Sequence, residues 1–335
     1  MELPLISILT PFRNTAQFLP ECLDSIINQS YQNWELLIVD DGSTDMSYEL
    51  VNRYADKDSR IKLFKNKGKG IIAALRLAFE KSHGDLITRM DSDDIMLPNK
   101  LKILSDNLLR SGKGHVAVGQ VNYFSDTGIN AGYRSYEQWL NRLTETGQNY
   151  SEIYKECVIP SPCWMIYRED LIKSGAFEPD RYPEDYDLTF RFYANRMTCI
   201  PCSEVLHHWR DYASRTSRTH EHYSQNYFLD IKLHYFLKLD HQKNRPLVIW
   251  GAGFKGKSIA KSLIEFEIPF DWICDNPNKI GRKIYDKPLK PFKYLASVND
   301  PQSIITVANA EAQIEIRAYL ADQHMQPMQD YFFFC

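Results

Sequence analysis

Apolar stretches of strand length and runs of helical spacing alternate four times between residues 5 and 109, and this alternation limits the possible folds more than any other feature of the chain. Residues 5–9, 34–39, 61–64 and 86–90 read as buried strands. Phe18, Leu19, Cys22, Leu23, Ile26 and Ile27 recur at helical spacing after the first strand, and Tyr48, Val51 and Tyr54 after the second. Residues 71–79 and 97–109 continue the pattern, with Pro98 placed in the first turn of the last helix. Continuous apolar strands separated by helices argue for an α/β fold. The sheet is parallel and covered on both faces, and ligands bind beyond the carboxyl ends of its strands.

Those strand ends are acidic. Thr10-Pro11-Phe12-Arg13-Asn14 follows the first strand without a glycine, so a dinucleotide could not approach that backbone in the usual way. Asp40 and Asp41 close the second strand, and Asp91-Ser92-Asp93-Asp94 closes the fourth. Three carboxylates within four residues repel one another unless a cation joins them. A hard divalent ion carried with a polyphosphate is the natural partner. Aspartate before a helix is also an ordinary cap, and Asp94 is the expected one for the helix after Leu97.

Residues 116–124 alternate as one further strand, and residues 161–168 form another. Glu184 and Asp185 then open an amphipathic run carrying Tyr186, Phe190 and Tyr193. Two acids there cap a helix, or they hold a general base; spacing alone does not separate the two. The helix dipole is expected to keep Asp185 ionised near neutrality. Residues 203–219 gather His207, His208, Trp209, Arg210, Arg215 and Arg218. This is a solvated loop, or a segment folded over the acids that supplies cations for phosphates and an imidazole for a metal. A helix over 223–239 and a linker at 241–244 follow.

A second unit begins at residue 245. Gly251-Ala252-Gly253-Phe254-Lys255-Gly256 sits between a strand and a helix, and Asp275 closes the next strand. That is the dinucleotide fingerprint in its required context, although the remaining length is too short for a full dinucleotide domain. The loop of Gly251, Gly253, Gly256 and Asp275 holds a nucleotide or sugar, or its glycines serve only a tight turn and close packing. The expected division is 1–240, with a donor half 1–110 and an acceptor and catalytic half 111–240, then a small Rossmann-like domain 245–335.

Forty basic and 43 acidic side chains leave a net charge of −3, which offers no bulk attraction to nucleic acid. No signal-peptide pattern opens the chain and no apolar run reaches bilayer length, so a cytoplasmic protein is expected, with peripheral attachment at the inner membrane face left open. Seven cysteines are expected to be reduced thiols. Cys199 and Cys202 with the following histidines make half a zinc pattern, without a second ligand pair.

Pro11-Phe12-Arg13-Asn14, Val39-Asp40-Asp41-Gly42-Ser43-Thr44-Asp45 and Arg89-Met90-Asp91-Ser92-Asp93-Asp94, in that order, resemble the nucleotide-binding half of family 2 glycosyltransferases, inverting enzymes of the GT-A fold. The resemblance implies an enzyme that moves a sugar from a nucleotide-sugar donor, a UDP-sugar, to a hydroxyl of a saccharide or lipid-linked saccharide. It places Thr10, Pro11, Arg13, Asp40, Asp41, Arg76, Asp91 and Arg210 around the donor. It puts Asp93, with Asp91, on Mn²⁺ or Mg²⁺, and brings His207 or His208 toward the metal or pyrophosphate. Asp185 becomes the base and Glu184 its neighbour. The Rossmann-like tail is also similar to that of glycosyltransferases acting on a queuosine-like nucleoside in tRNA, an alternative the net charge does not favour. A non-catalytic sugar-nucleotide binding protein is the other alternative. Oligomeric state is not legible.

Overall fold

The computed structural model describes residues 3–213, 215 and 228–335. Arg218 and the expected helical residues 223–227 lie outside them. Two compact units emerge, Met1–Tyr150 with Val158–Arg215, and Ser151–Cys157 with Thr216–Cys335.

The first unit opens with β1 (Ile6–Phe12), α1 (Leu19–Ile27), β2 (Trp34–Asp40), α2 (Ser47–Ala55), β3 (Ile61–Lys65), α3 (Ile71–Glu80) and β4 (Leu86–Arg89). These strands pair in parallel in the order β3-β2-β1-β4. Every residue of β1, β2 and β4 is buried, as continuous apolar strands between two helical layers require. Ile6 and Ile8 share one core with Leu23, Ile26, Leu36 and Ile38.

The unit continues with β5 (Ile95–Met96), α4 (Lys100–Ser111), β6 (His115–Val118), β7 (Gln120–Phe124), α5 (Ala131–Thr146), β8 (Trp164–Tyr167), α6 (Arg168–Lys173), α7 (Glu184–Ala194), β9 (Thr198–Ile200) and β10 (Val205–Arg210). β8 joins β4 antiparallel, and β6 and β9 extend the sheet to seven strands. A second, three-stranded sheet runs β5-β10-β7.

Three expectations change here. The single strand at 116–124 is two strands in different sheets, broken at Gly119. A Cβ there would lie 2.7 Å from Leu206 Cδ1 and 2.8 Å from Cys163 Sγ, so only glycine lets the chain cross between sheets. Pro98 precedes the helix, which starts at Lys100, and its carbonyl accepts the Ser30 N–H. His207, His208 and Arg210 lie on a strand, β10, and form no loop.

The second unit holds α8 (Phe228–Leu239), β11 (Leu247–Trp250), α9 (Phe254–Glu265), β12 (Asp271–Cys274), β13 (Lys283–Ile284), β14 (Lys287–Pro291), β15 (Gln302–Ile305), α10 (Ala310–Asp322) and β16 (Tyr331–Phe333). Its sheet runs β13-β14-β12-β11-β15-β16, parallel throughout except for β13. The order reverses between β11 and β15, as in doubly wound sheets. Segment 151–157 belongs here, with the Tyr154 ring stacked on Phe334 at 5.2 Å and edge-on to Phe236 of α8. The division therefore falls earlier than the 241–244 linker. α8 finds its aromatic partners, Phe332 and Phe334, at the far end of the chain.

Candidate active site

The acidic turn follows β4 directly. Arg89, the last residue of that strand, is 5% exposed. Its Nε and Nη2 each lie 3.0 Å from Asp91 Oδ1, and its Nη1 lies 2.8 Å from Glu184 Oε1. Burial opposes ionisation of Asp91, but the Arg89 guanidinium outweighs it and holds that carboxyl below the usual range. One buried cation thus joins the turn after β4 to the start of α7.

Asp185, the next residue of α7, accepts the N–H of Tyr186. Arg89, Ser161, Trp164, Phe177, Glu184 and Asp185 line one small cleft. Burial and the adjoining Glu184 carboxylate push Asp185 up to about 7. That corrects the expectation from the helix dipole: removal from water and a like charge outweigh the helix start.

Asp93 and Asp94 differ sharply. Asp94 is fully buried and caps no helix. Its Oδ1 accepts the Arg210 N–H at 2.8 Å and its Oδ2 lies 2.9 Å from His207 Nε2. His207 Nδ1 faces Lys100 Nζ at 3.2 Å, and Lys100 also donates to the Pro162 carbonyl. Burial, then the Lys100 charge, drives the His207 pKa well below its ordinary value, so the ring is neutral. Both ring nitrogens of His207 are thus engaged within the protein. His208 is half-buried against Phe124, and its Nδ1 is buried without a hydrogen-bond partner among the described residues.

Asp93 Oδ2 accepts the Tyr212 hydroxyl at 2.8 Å. Burial and the Asp94 carboxylate push its carboxyl up to about 7. Arg215, stacked over Trp209, pulls the other way. Among the described residues no group of three or more His, Cys, Asp or Glu side chains is set to cage a metal ion. Asp94 and His207 are bonded to each other, whereas Asp93 Oδ2 and Asp91 Oδ2 carry hydroxyl bonds, from Tyr212 and, at 3.4 Å, from Ser161. One or two carboxylates suit a Mg²⁺- or Mn²⁺-type ion whose remaining ligands come from phosphate and water. The residues fit a cation delivered with a diphosphate and do not fit an all-protein cage.

The remaining expected donor residues scatter in their engagements. Thr10 is buried in β1 with its hydroxyl unpaired among the described residues, Pro11 is buried, and Arg13 is exposed. Asp40 Oδ1 accepts the Ser43 N–H, and Asp41 accepts the Gly70 N–H and the Asn66 amide. Both therefore shape loops. Arg76 donates to the carbonyls of Phe177 and Glu178 and to Asp180, so it holds that loop where a donor contact was expected. The Arg210 guanidinium packs between Phe18 and Phe124, donates to the Asp93 carbonyl and pairs with Glu21.

Sequence reasoning gave Arg89, Lys100, Ser161 and Tyr212 no role. Two signals were present. An arginine closing an apolar strand needs a buried partner, and a lysine in the first turn of a helix opposes the dipole. In the second unit, Asp275 accepts the Trp250 indole N–H, and Lys279 donates to the Ala252 carbonyl. Gly251 has φ +118°, and a Cβ on Gly256 would strike the Gly251 carbonyl, whereas Gly253 has nothing within 4 Å.

Residues 7–175 match the model of the glycosyl transferase family 2. The chain is a family 2 glycosyltransferase. The match takes in the acidic turn of this transferase and stops short of Glu184, Asp185 and β10. A glycosyltransferase of Haemophilus influenzae is 43% identical over 124 residues, which are 37% of this chain and 48% of that protein, so the matched segment spans about half of that relative. GlyG of Streptococcus pneumoniae is 35% identical over 64% of this chain and 73% of its own length. A UDP-Glc:alpha-D-GlcNAc-diphosphoundecaprenol beta-1,3-glucosyltransferase of Escherichia coli is 28% identical over 62% of this chain and 77% of its own. The structure of Staphylococcus aureus TarS with UDP-GlcNAc shares the GT-A fold at TM-score 0.55 and 17% identity, over 71% of this chain and 68% of that one.

Proposed function

We propose that this glycosyltransferase moves a sugar from a UDP-sugar, with a divalent cation, onto a hydroxyl of a saccharide or lipid-linked saccharide, inverting the anomeric carbon. The observation that carries the reading is the single cleft in which Asp185 shares walls with Arg89, itself bonded to Asp91. A carboxylate raised toward neutrality is suited to take a proton from a hydroxyl. Asp185 is the base in this reading, because Glu184 is already paired with Arg89. Asp93, with Asp91, holds Mn²⁺ or Mg²⁺; when bound, the ion supplies positive charge against the leaving diphosphate.

The chain's own residues do the rest. Asp185 accepts the acceptor proton as the hydroxyl attacks, Arg89 holds Asp91 and Glu184 in place, and Trp164 and Phe177 keep the cleft wall apolar. The relatives' names support the donor and acceptor classes: one acts with UDP-Glc on a diphosphoundecaprenol-linked sugar, and TarS was solved with UDP-GlcNAc. Among the described residues no helix is long and apolar enough to cross a membrane. In the second unit, the loop of Gly251, Gly253 and Gly256 with Asp275 is a candidate nucleotide or sugar site, supported by the strand-order reversal beside it.

The test is a panel of UDP- and GDP-sugars offered with saccharide and undecaprenyl-diphosphate-linked acceptors, with and without Mn²⁺, read as released nucleoside diphosphate and product linkage. Acceptor-dependent UDP release with a UDP-sugar supports the reading. Release from GDP-sugars alone, or full turnover in a chelator, overturns the donor or metal assignment respectively.

A further inference from the structure

We propose that Arg89 is a positioning residue that ties the donor-side acid to the acceptor-side base, fixing Glu184 so that Asp185 is the carboxylate left to meet the acceptor; this rests on the site being a glycosyl-transfer centre. The two acids are chain neighbours and chemically alike, so sequence gives no reason to prefer either. The structure separates them. Glu184 Oε1 lies 2.8 Å from Arg89 Nη1, and both side chains are more than nine-tenths buried. Asp185 takes a bond from its own helix, the Tyr186 N–H, and lines the cleft.

The geometry needs an arginine. Its planar fork reaches Asp91 Oδ1 through Nε and Nη2 while Nη1 turns to Glu184. A lysine is a single point charge and cannot hold two carboxylates in fixed directions. The partners come from the end of β4 and the start of α7, 95 residues apart in sequence. The guanidinium therefore sets the placement of the first turn of α7 against the acidic turn. A base misplaced by about 1 Å can lose on the order of 10²-fold in rate.

The experiment uses full-length Arg89→Met, Arg89→Lys, Glu184→Gln and the double variant Arg89→Met/Glu184→Met. Each is assayed for kcat and acceptor KM, for calorimetric binding of the sugar nucleotide with Mn²⁺, and for the folded fraction. Arg89→Met and Glu184→Gln should each lower kcat roughly 10²-fold, with acceptor KM shifted less than about threefold. The double variant should be no slower than Arg89→Met, because Glu184 acts through its ion pair with Arg89. It removes the Glu184 charge that Arg89→Met alone leaves buried and unpaired, so more of it should fold than of Arg89→Met, with Asp91 losing its guanidinium partner in both. Arg89→Lys should recover only part of the rate. Additive losses in the double variant, full activity of Arg89→Lys, or a rate loss that matches the unfolded fraction would each overturn the proposal. If the unaltered enzyme releases no diphosphate from any sugar nucleotide, the transferase reading fails first and the proposal falls with it.

Discussion

His207 Nε2 lies 2.9 Å from Asp94 Oδ2, with both residues fully buried, and the other ring nitrogen of His207 meets Lys100. The histidine thus pins the acidic turn to β10, and Lys100 extends the chain of bonds to Pro162 beside Ser161. Every member of this chain is satisfied, which is what a buried polar network requires. Its function is to hold the turn that carries Asp91 and Asp93.

Removing one member leaves the others buried and unpaired. With the His207 ring neutral, His207→Ala and Asp94→Ala should each cost about 1–3 kcal/mol of stability, at or above the roughly 1 kcal/mol of a lost helix cap. Urea denaturation measures this. A loss of Mn²⁺ affinity in His207→Ala with unchanged stability would contradict it and return His207 to the metal.

Asp93 offers a pH test of the cation. Its folded-state carboxyl sits at about 7, above the ordinary value near 3.9. The protonated folded form is favoured, so this contribution to stability is present at low pH and is lost as pH rises through about 7. A cation competes with the proton for the same oxygens. Mn²⁺ with UDP should raise Tm more near pH 8 than near pH 5.5, and Asp93→Asn should abolish the difference. Scanning calorimetry at the two pH values decides it; an equal rise at both contradicts the assignment.

Much of this architecture was legible because it depends on local pattern. Four apolar runs gave β1 to β4, and the acids at the ends of β2 and β4 stood where an α/β sheet presents its ligand site. Glu184 and Asp185 were recognisable as a helix start. What stayed hidden depends on partners distant in sequence. His207 meets Asp94 across 113 residues, and Arg89 meets Glu184 across 95. The break at Gly119 is set by Leu206 and Cys163, which no local window contains. Helix-dipole reasoning misjudged Asp185 because its burial came from tertiary structure and outweighs the helix start together with the like charge of the adjoining Glu184.

In the second unit, Gly256 and Gly253 make opposite predictions. A Cβ on Gly256 meets the Gly251 carbonyl and Thr306 Oγ1, and backbone cannot yield cheaply. Gly256→Ala should cost about 1–3 kcal/mol. Gly253→Ala, with open space around it, should leave Tm unchanged. If the loop holds a nucleotide, Gly253→Ala should weaken its calorimetric binding at that Tm; unaltered binding leaves the glycines to the turn and the helix packing.

The base should be visible in the rate profile. With Asp185 raised to about 7, transfer should rise with pH through about 7 and level off above, because only the ionised form takes a proton. Asp185→Glu should retain a limb at an altered pH, and Asp185→Asn should have none. A wild-type profile flat from about pH 5 to 8 contradicts the assignment.

The most direct measurement pairs donor binding with a single turnover in Asp185→Asn. The substitution keeps size and the bond from Tyr186 while removing the proton acceptor. Calorimetric affinity for the sugar nucleotide with Mn²⁺ should stay close to that of the unaltered enzyme, while transfer to the acceptor falls by roughly 10²-fold or more. Transfer at the normal rate in Asp185→Asn, with Glu184→Gln inactive, would exchange the roles of the two acids and contradict the account.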